Sequence, residues 1–252
     1  MVWDPDRYHR FREERFAPFE DLLALIRVRP DMAVVDLGCG TGELTVRLAE
    51  RLPESRVLGI DSSAEMLARA EPLARPGLEF QTGRIEDASG DYDLVFSHAA
   101  VHWVENHESL IPRLWGMVRS GGQLAVQMPA NHGHTAHLAI TEVAGLRPFV
   151  EALRGWTRRP PVLRVERYAE LLHELGAERP TVLEKVYPHV LADADAVVDW
   201  TRGTALVPYF ERLPAALHGP FLIAYRDLLR SRMPGRPVFY GFRRILFAAS
   251  KE

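Results

Sequence analysis

A single cysteine, Cys39, in a chain of 252 residues allows no intrachain disulfide and no cysteine-type zinc cluster, and it favours a reducing compartment. Lysine is nearly as scarce. Only Lys185 and Lys251 occur, so 29 of the 31 basic residues are arginine. Background sequence bias accounts for most of that excess; planar forks that grip carboxylates are the functional alternative. There is no surplus of positive charge, since 31 basic against 34 acidic side chains gives −3. That excludes the strongly basic surface a nucleic-acid partner requires. Long apolar runs are missing too: the uncharged stretch from Ser120 to Thr141 is broken by Gly, Gln, Asn, Pro and His, which excludes a membrane span. Arginines and acids interleave through the first 30 residues, six of each, unlike a secretory leader. The expectation is a soluble, cytoplasmic protein, monomeric or weakly homodimeric, acting on a small molecule.

What the chain does have is apolar substance. Hydrophobic residues make up 47% of it, enough at this length to bury roughly 70–75% of the unfolded surface in one domain. Up to about residue 130, short aliphatic or β-branched runs alternate with amphipathic stretches, the pattern of a βαβ architecture. Strands are predicted over 33–37, 56–60, 78–82, 93–97 and 123–128, and helices over 43–51, 64–74 and 108–118. Ser62 followed by Glu65 reads as a capping box for the second helix. After Pro129, helix-like segments at 136–150, 166–175, 194–205 and 221–232 are interleaved with strand-like runs at 181–190 and 238–247. Pro160-Pro161, Pro180 and Pro234-Gly235-Arg236-Pro237 are expected loops. The predicted fold class is α/β and Rossmann-like. One domain is expected, with a cofactor core over 30–130, a helical substrate region over 131–235 and a final strand within 236–252.

The most informative stretch is Val34-Val35-Asp36-Leu37-Gly38-Cys39-Gly40-Thr41-Gly42, an apolar strand that runs into three alternating glycines and then a helix. Bare backbone lets a ligand approach closely, and helix N–H groups point at it. The spacing selects the ligand. A dinucleotide fingerprint needs glycine at position 43 and a P-loop needs Gly-Lys-Ser/Thr, but Glu43 stands there. A carboxylate at the mouth of the loop disfavours a pyrophosphate. Nineteen residues past Gly42, Asp61 ends the second strand, where an acid accepts hydrogen bonds from two ribose hydroxyls. Asp36, at the end of the first strand, is placed to take an ammonium. Adenosine joined to an amino acid, without phosphate, describes S-adenosylmethionine.

The run Val35 to Gly42 resembles motif I of the class I S-adenosylmethionine-dependent methyltransferases. Trp3-Asp4-Pro5, Tyr8, Glu14-Arg15, Gly59-Ile60-Asp61-Ser62-Ser63, Ala99-Ala100-Val101-His102-Trp103 and Ala125-Val126-Gln127-Met128-Pro129 resemble the trans-aconitate methyltransferase family in particular, as do Trp200, Gly203-Thr204 and Phe242 to Arg244. The resemblance implies a seven-stranded, mostly parallel sheet with a helical cap, and methyl transfer to a carboxylate of a small acid such as trans-aconitate. It implies cofactor contacts from Asp36, Gly38, Gly40, Gly42, Asp61, Ser62 and His98. Arg84 occupies the family position of an adenine-contacting acid, and Glu86 and Asp87 are close enough to take its place. Two family arginines are replaced, by Ala17 and Val207.

Transfer from a sulfonium needs position more than acid–base chemistry. A carboxylate is already ionised at pH 7, so no catalytic residue and no metal are expected; His102 and Trp103, closing the fourth strand, stand nearest the reaction. An alcohol or amine acceptor would need a base, and His98, His102 or His132 could serve. A carboxylate acceptor needs fixed positive charge. Arg244, within the run 238–247, and Arg15, on the N-terminal helix, supply it. Tyr8 is a candidate lid contact, Gln127 and Asn131 flank Pro129 as hydrogen-bonding candidates, and Trp200 and Tyr209 suit either an acceptor pocket or an apolar core. The alternatives are a methyltransferase for another small acceptor and a binding module without turnover.

Overall fold

The computed structural model describes residues 13–252, with side chains from Phe16 onward. Seven strands form one sheet: β1 (Ala33–Leu37), β2 (Arg56–Asp61), β3 (Leu78–Thr82), β4 (Tyr92–His98), β5 (Val118–Pro129), β6 (Glu178–Leu191) and β7 (Val238–Ser250), in the order β3-β2-β1-β4-β5-β7-β6. β1 to β5 pair in parallel, and β7 runs antiparallel to β5. Central strands are apolar on both faces, as Val34-Val35 and Leu94-Val95-Phe96 show, which is what a parallel sheet covered on both sides requires. Between β1 and β4 the strand order reverses. Such a switch point opens a crevice beyond the carboxyl ends of the strands, the usual ligand position in open α/β sheets.

The chain divides into two compact units. The sheet unit comprises Phe16–Pro129, Pro161–Lys185 and Arg244–Glu252; the other is made of Ala130–Pro160 and Val186–Arg243 together with the first described residues. In the sheet unit, Phe19 and Leu22 of α1 (Glu13–Leu23) and Leu48 of α2 (Glu43–Arg51) bury against Val34, Leu94, Phe96, Ala125 and Leu246. Burying each large apolar side chain stabilises by about 1.5–3 kcal/mol. In the helical unit, Ala136, Ile140 and Val143 of α5 (Thr135–Ala144) share a core with Phe221, Tyr225 and Leu229 of α10 (Ala215–Arg232). Spacings of three and four put each set on one helical face.

The remaining helices are α3 (Ala64–Ala70), α4 (His107–Gly116), α6 (Phe149–Ala152), α7 (Val165–Glu174), α8 (Ala194–Arg202) and α9 (Val207–Phe210). Four expectations are corrected. The cap of α3 is Ser63, whose hydroxyl accepts the Met66 N–H, so the helix has a single side-chain cap one residue later in place of the expected Ser62–Glu65 box. The single helix over 136–150 is two, ended by Gly145 and restarted after Pro148. Pro180 lies inside β6; β6 is an edge strand, the kind of strand in which proline is tolerated. β5 starts at Val118 and not at 123. No helix among the described residues is long and apolar enough to cross a membrane.

Candidate active site

The loop after β1 turns on glycines in the left-handed region, with φ of +81° at Gly38, +57° at Gly40 and +77° at Gly42. A Cβ on Gly38 would stand 2.1 Å from the Ala100 Cβ, and one on Gly42 would stand 2.8 Å from the Phe80 ring. Gly40 differs. Among the described residues, no atom lies within 4 Å of where its Cβ would be, which leaves room beside its backbone for a ligand. Gly38 and Cys39 donate their N–H groups to the Ile60 carbonyl at 2.7 and 3.0 Å, tying the loop to β2. Asp61 ties it again: Oδ2 accepts the Gly40 N–H and Oδ1 accepts the Ser63 N–H, both at 2.8 Å. A carboxylate has about four acceptor sites, so this part-exposed acid can still receive two hydroxyls. Ser62 beside it is exposed.

Asp36 is 3% exposed and accepts the Thr45 hydroxyl at 2.7 Å. Burial pushes its carboxyl up to about 7, with the Thr45 bond pulling down and Asp61 pushing up. Burial, then Asp36 and Asp61, also raise the Cys39 thiol, which leaves it protonated and without nucleophilic character. At the third loop Glu86 lies in the turn Ile85–Asp87. Arg84 donates to it at 2.6 Å and holds its carboxyl below the ordinary range.

Register brings three polar residues together at the other side of the switch point. His98 pairs with Gln127, Gln127 with Leu246, and Pro129 with Arg244. Residues opposite one another, or two apart on a strand, share a face, so His98, Gln127 and Arg244 lie on one face. It is the face that α1 covers, because Phe19 packs edge-on against Phe96 and His98 with centroids 5.8 and 5.6 Å apart. His98 is 9%, Gln127 0% and Arg244 5% exposed. Among the described residues, neither side-chain amide atom of Gln127 meets a hydrogen-bonding partner. Other arginines near the C-terminus are engaged at the surface: Arg226 and Arg230 with Asp195, Arg236 with Asp193, and Arg232 with Glu142.

Beyond β4, the turn Val101–Trp103 places the His102 and Trp103 rings 4.9 Å apart, with Trp103 49% exposed. Beneath it, His107 Nε2–H donates to the Val101 carbonyl at 3.0 Å, so Nδ1 accepts the Tyr168 hydroxyl at 2.5 Å. Burial lowers the His107 pKa, in keeping with this neutral tautomer. The Tyr168 oxygen also accepts the Leu163 N–H at 3.1 Å, and its ring stacks on Phe247. Tyr168→Phe should therefore leave two polar groups unmet, at about 1–3 kcal/mol each. A lower urea midpoint at unchanged slope is the expected result; an unchanged midpoint would mean that His107 finds another partner.

In the helical unit, buried Asn131 donates from Nδ2 to the Tyr240 hydroxyl at 3.2 Å and accepts the Arg243 N–H at 2.9 Å. Tyr240 belongs to a ring cluster, 4.5 Å from His134 and 5.9 Å from both Trp200 and Phe242, with His189 4.9 Å from Trp200. Tyr209 lies in the apolar core, where its hydroxyl accepts the Arg158 N–H at 3.2 Å and its ring meets Trp156 at 5.2 Å. Ala17 is exposed on α1, and Val207 opens α9 partly buried. Tyr8 and the Arg15 side chain lie outside the described residues.

Residues 34–122 match a family model described as a methyltransferase domain. A protein of Deinococcus radiodurans named trans-aconitate 2-methyltransferase is 49% identical over all of this chain and 99% of its own length. The chain belongs to the trans-aconitate 2-methyltransferase family. Two solved structures share its fold at low identity. The YcgJ protein of Bacillus subtilis has a TM-score of 0.61 at 13% identity, covering 94% of this chain and 99% of that one. Geranyl diphosphate C-methyltransferase of Streptomyces coelicolor A3(2), solved with Mg2+, geranyl diphosphate and S-adenosyl-L-homocysteine, has a TM-score of 0.55 at 17% identity, covering 97% and 80%.

In this member of the trans-aconitate 2-methyltransferase family, sequence reasoning missed Thr45, His107, Tyr168 and Tyr240. Thr45 carried a signal: a hydroxyl in the first turn after Gly42 sits under the end of β1. The His107–Tyr168 and Asn131–Tyr240 pairs are 61 and 109 residues apart, so no local pattern announces them.

Proposed function

We propose that this protein methylates a carboxylate of trans-aconitate, or of an acid closely like it, with S-adenosylmethionine as donor. The observation that carries the cofactor half is Asp61, locked by two backbone N–H groups beside the open flank of Gly40. A ribose is a ligand for the acid, and unsubstituted backbone suits a flat purine-bearing molecule. Asp36 takes the ammonium end, Gly38 and Gly42 shape the loop, and Ser62, Glu86 and His98 stand at the edges. The acceptor half rests on Arg244, a buried guanidinium on the face that also holds His98 and Gln127.

Bound S-adenosylmethionine supplies a methyl on a sulfonium, whose departure leaves a neutral thioether. A carboxylate oxygen bonds to that carbon as the carbon–sulfur bond breaks, the electron pair stays on sulfur, and no proton moves. The protein's task is therefore to orient. Holding reacting atoms about 3–3.5 Å apart in line is worth roughly 7–11 kcal/mol. The test is incubation with isotopically labelled S-adenosylmethionine and trans-aconitate, cis-aconitate, isocitrate or a monocarboxylate, followed by mass spectrometry. Label should appear in a methyl ester of trans-aconitate; cofactor binding without label in any acid sinks the proposal.

A further inference from the structure

We infer that Gln127 and Arg244 divide the acceptor between them: the Gln127 amide binds the carboxyl group that reacts, and the Arg244 guanidinium binds a second carboxylate of the same molecule. This rests on the carboxyl-methylation reading above. The first observation is the state of Gln127. It is fully buried, and among the described residues both its amide oxygen and its amide nitrogen are without partners. Folded proteins satisfy nearly all buried polar atoms, and an amide left bare is costly. A buried, unmatched amide at a strand's carboxyl end beside the switch point is a group kept for a ligand.

The second observation is order across the sheet. β1, which carries the glycine loop, is followed by β4, β5 and β7. At about 4.8 Å per strand, Gln127 on β5 stands about 10 Å from the β1 line and Arg244 on β7 about 14 Å. Gln127 is thus one strand nearer to the cofactor. Gln127 and Arg244 are also on one face, with Arg244 opposite Pro129, two residues beyond Gln127. As diagonal neighbours on paired strands their backbones are about 7–8 Å apart, a span that two long side chains can close onto the carboxyl groups of one short polycarboxylate.

The chemistry assigns the same order. A guanidinium fork on the attacking carboxylate would hold both oxygens and draw density from the nucleophile. A neutral amide donates one hydrogen bond and leaves the other oxygen to attack. Reaction converts the carboxylate to an uncharged ester, so a neutral partner loses little on product formation, whereas the second carboxylate keeps its charge and its guanidinium throughout.

The test compares Gln127→Met and Arg244→Met with the wild type, using trans-aconitate and the monocarboxylate crotonate as acceptors. Gln127→Met should lower kcat/KM for both acids about tenfold or more, the loss of one hydrogen bond to a charged group, with the S-adenosylmethionine Kd unchanged. Because it removes an unmatched amide, it should also raise the Tm of the ligand-free protein by about 2–4 °C. Arg244→Met should raise KM for trans-aconitate about 100-fold, a bidentate pair lost, and raise KM for crotonate by a much smaller factor, so that the preference for the polycarboxylate falls. Wild-type kinetics in Gln127→Met, a lowered Tm, or an effect confined to the polycarboxylate would each overturn the inference while leaving the methylation reading intact. A wild-type enzyme that methylates neither acid brings down that reading, and this inference with it.

Discussion

Asp61→Ala should weaken S-adenosylmethionine binding by a factor of about 100 to 10,000, measured by calorimetry, while Arg244→Ala leaves that affinity nearly unchanged. Two hydrogen bonds from ribose hydroxyls to an ionised acid are worth about 1.5–3 kcal/mol each. The side chain does more than meet the ligand. Its two oxygens hold the Gly40 and Ser63 N–H groups, so truncation releases the glycine loop and the start of α3 together. Both backbone donors then face water or a ligand with nothing fixing their direction. Asp61→Asn separates the two effects: its oxygen can keep one backbone bond, but its NH2 opposes the other N–H. An intermediate loss is expected there. If Arg244→Ala proves the more damaging to cofactor affinity, the two halves of the site are exchanged.

The sheet unit was largely legible because its signals are local. β1, β3 and α2 fall on the residues that apolar runs and helical spacing predict. The glycine spacing with Asp61 identified the ligand class for the same reason, since strand, turn, helix and acid lie within 30 residues. What was not legible depends on register or distance. Arg244 and Gln127 were candidates by residue type, but that they share a face follows from the pairing of β5 with a strand more than 100 residues later. The start of β5 was missed because Arg119-Ser120-Gly121-Gly122 has no strand composition; the pairing of Tyr92 with Val118 defines it. Trp200 and Tyr209 looked equivalent in sequence. In the fold Tyr209 is buried in the core of the helical unit, and Trp200, itself part exposed, packs against the same core beside Tyr240 and Phe242.

The largest expected pH effect lies at Asp36. Cofactor affinity should rise about tenfold per unit as pH approaches 7 from below and flatten above it, because burial holds this carboxyl protonated up to about 7 and only the ionised form pairs with an ammonium. Binding near pH 6.5 should release a proton, visible as a dependence of the calorimetric enthalpy on buffer. An α-ammonium loses its own proton near 8, so affinity passes through a maximum between the two. The ligand-free protein carries the opposite trend. An acid whose folded value exceeds its unfolded 3.8 binds more protons folded than unfolded across that interval. Its contribution to stability is whole below about pH 4 and is lost as pH rises through 7, by an amount on the order of 4 kcal/mol at 1.36 per unit. Asp36→Asn keeps an oxygen for the Thr45 hydroxyl and removes the titration. Relative to wild type, it should be more stable at pH 8 than at pH 5, bind S-adenosylmethionine weakly throughout, and show no acid limb. An acid limb that persists in Asp36→Asn would move the ammonium to another group.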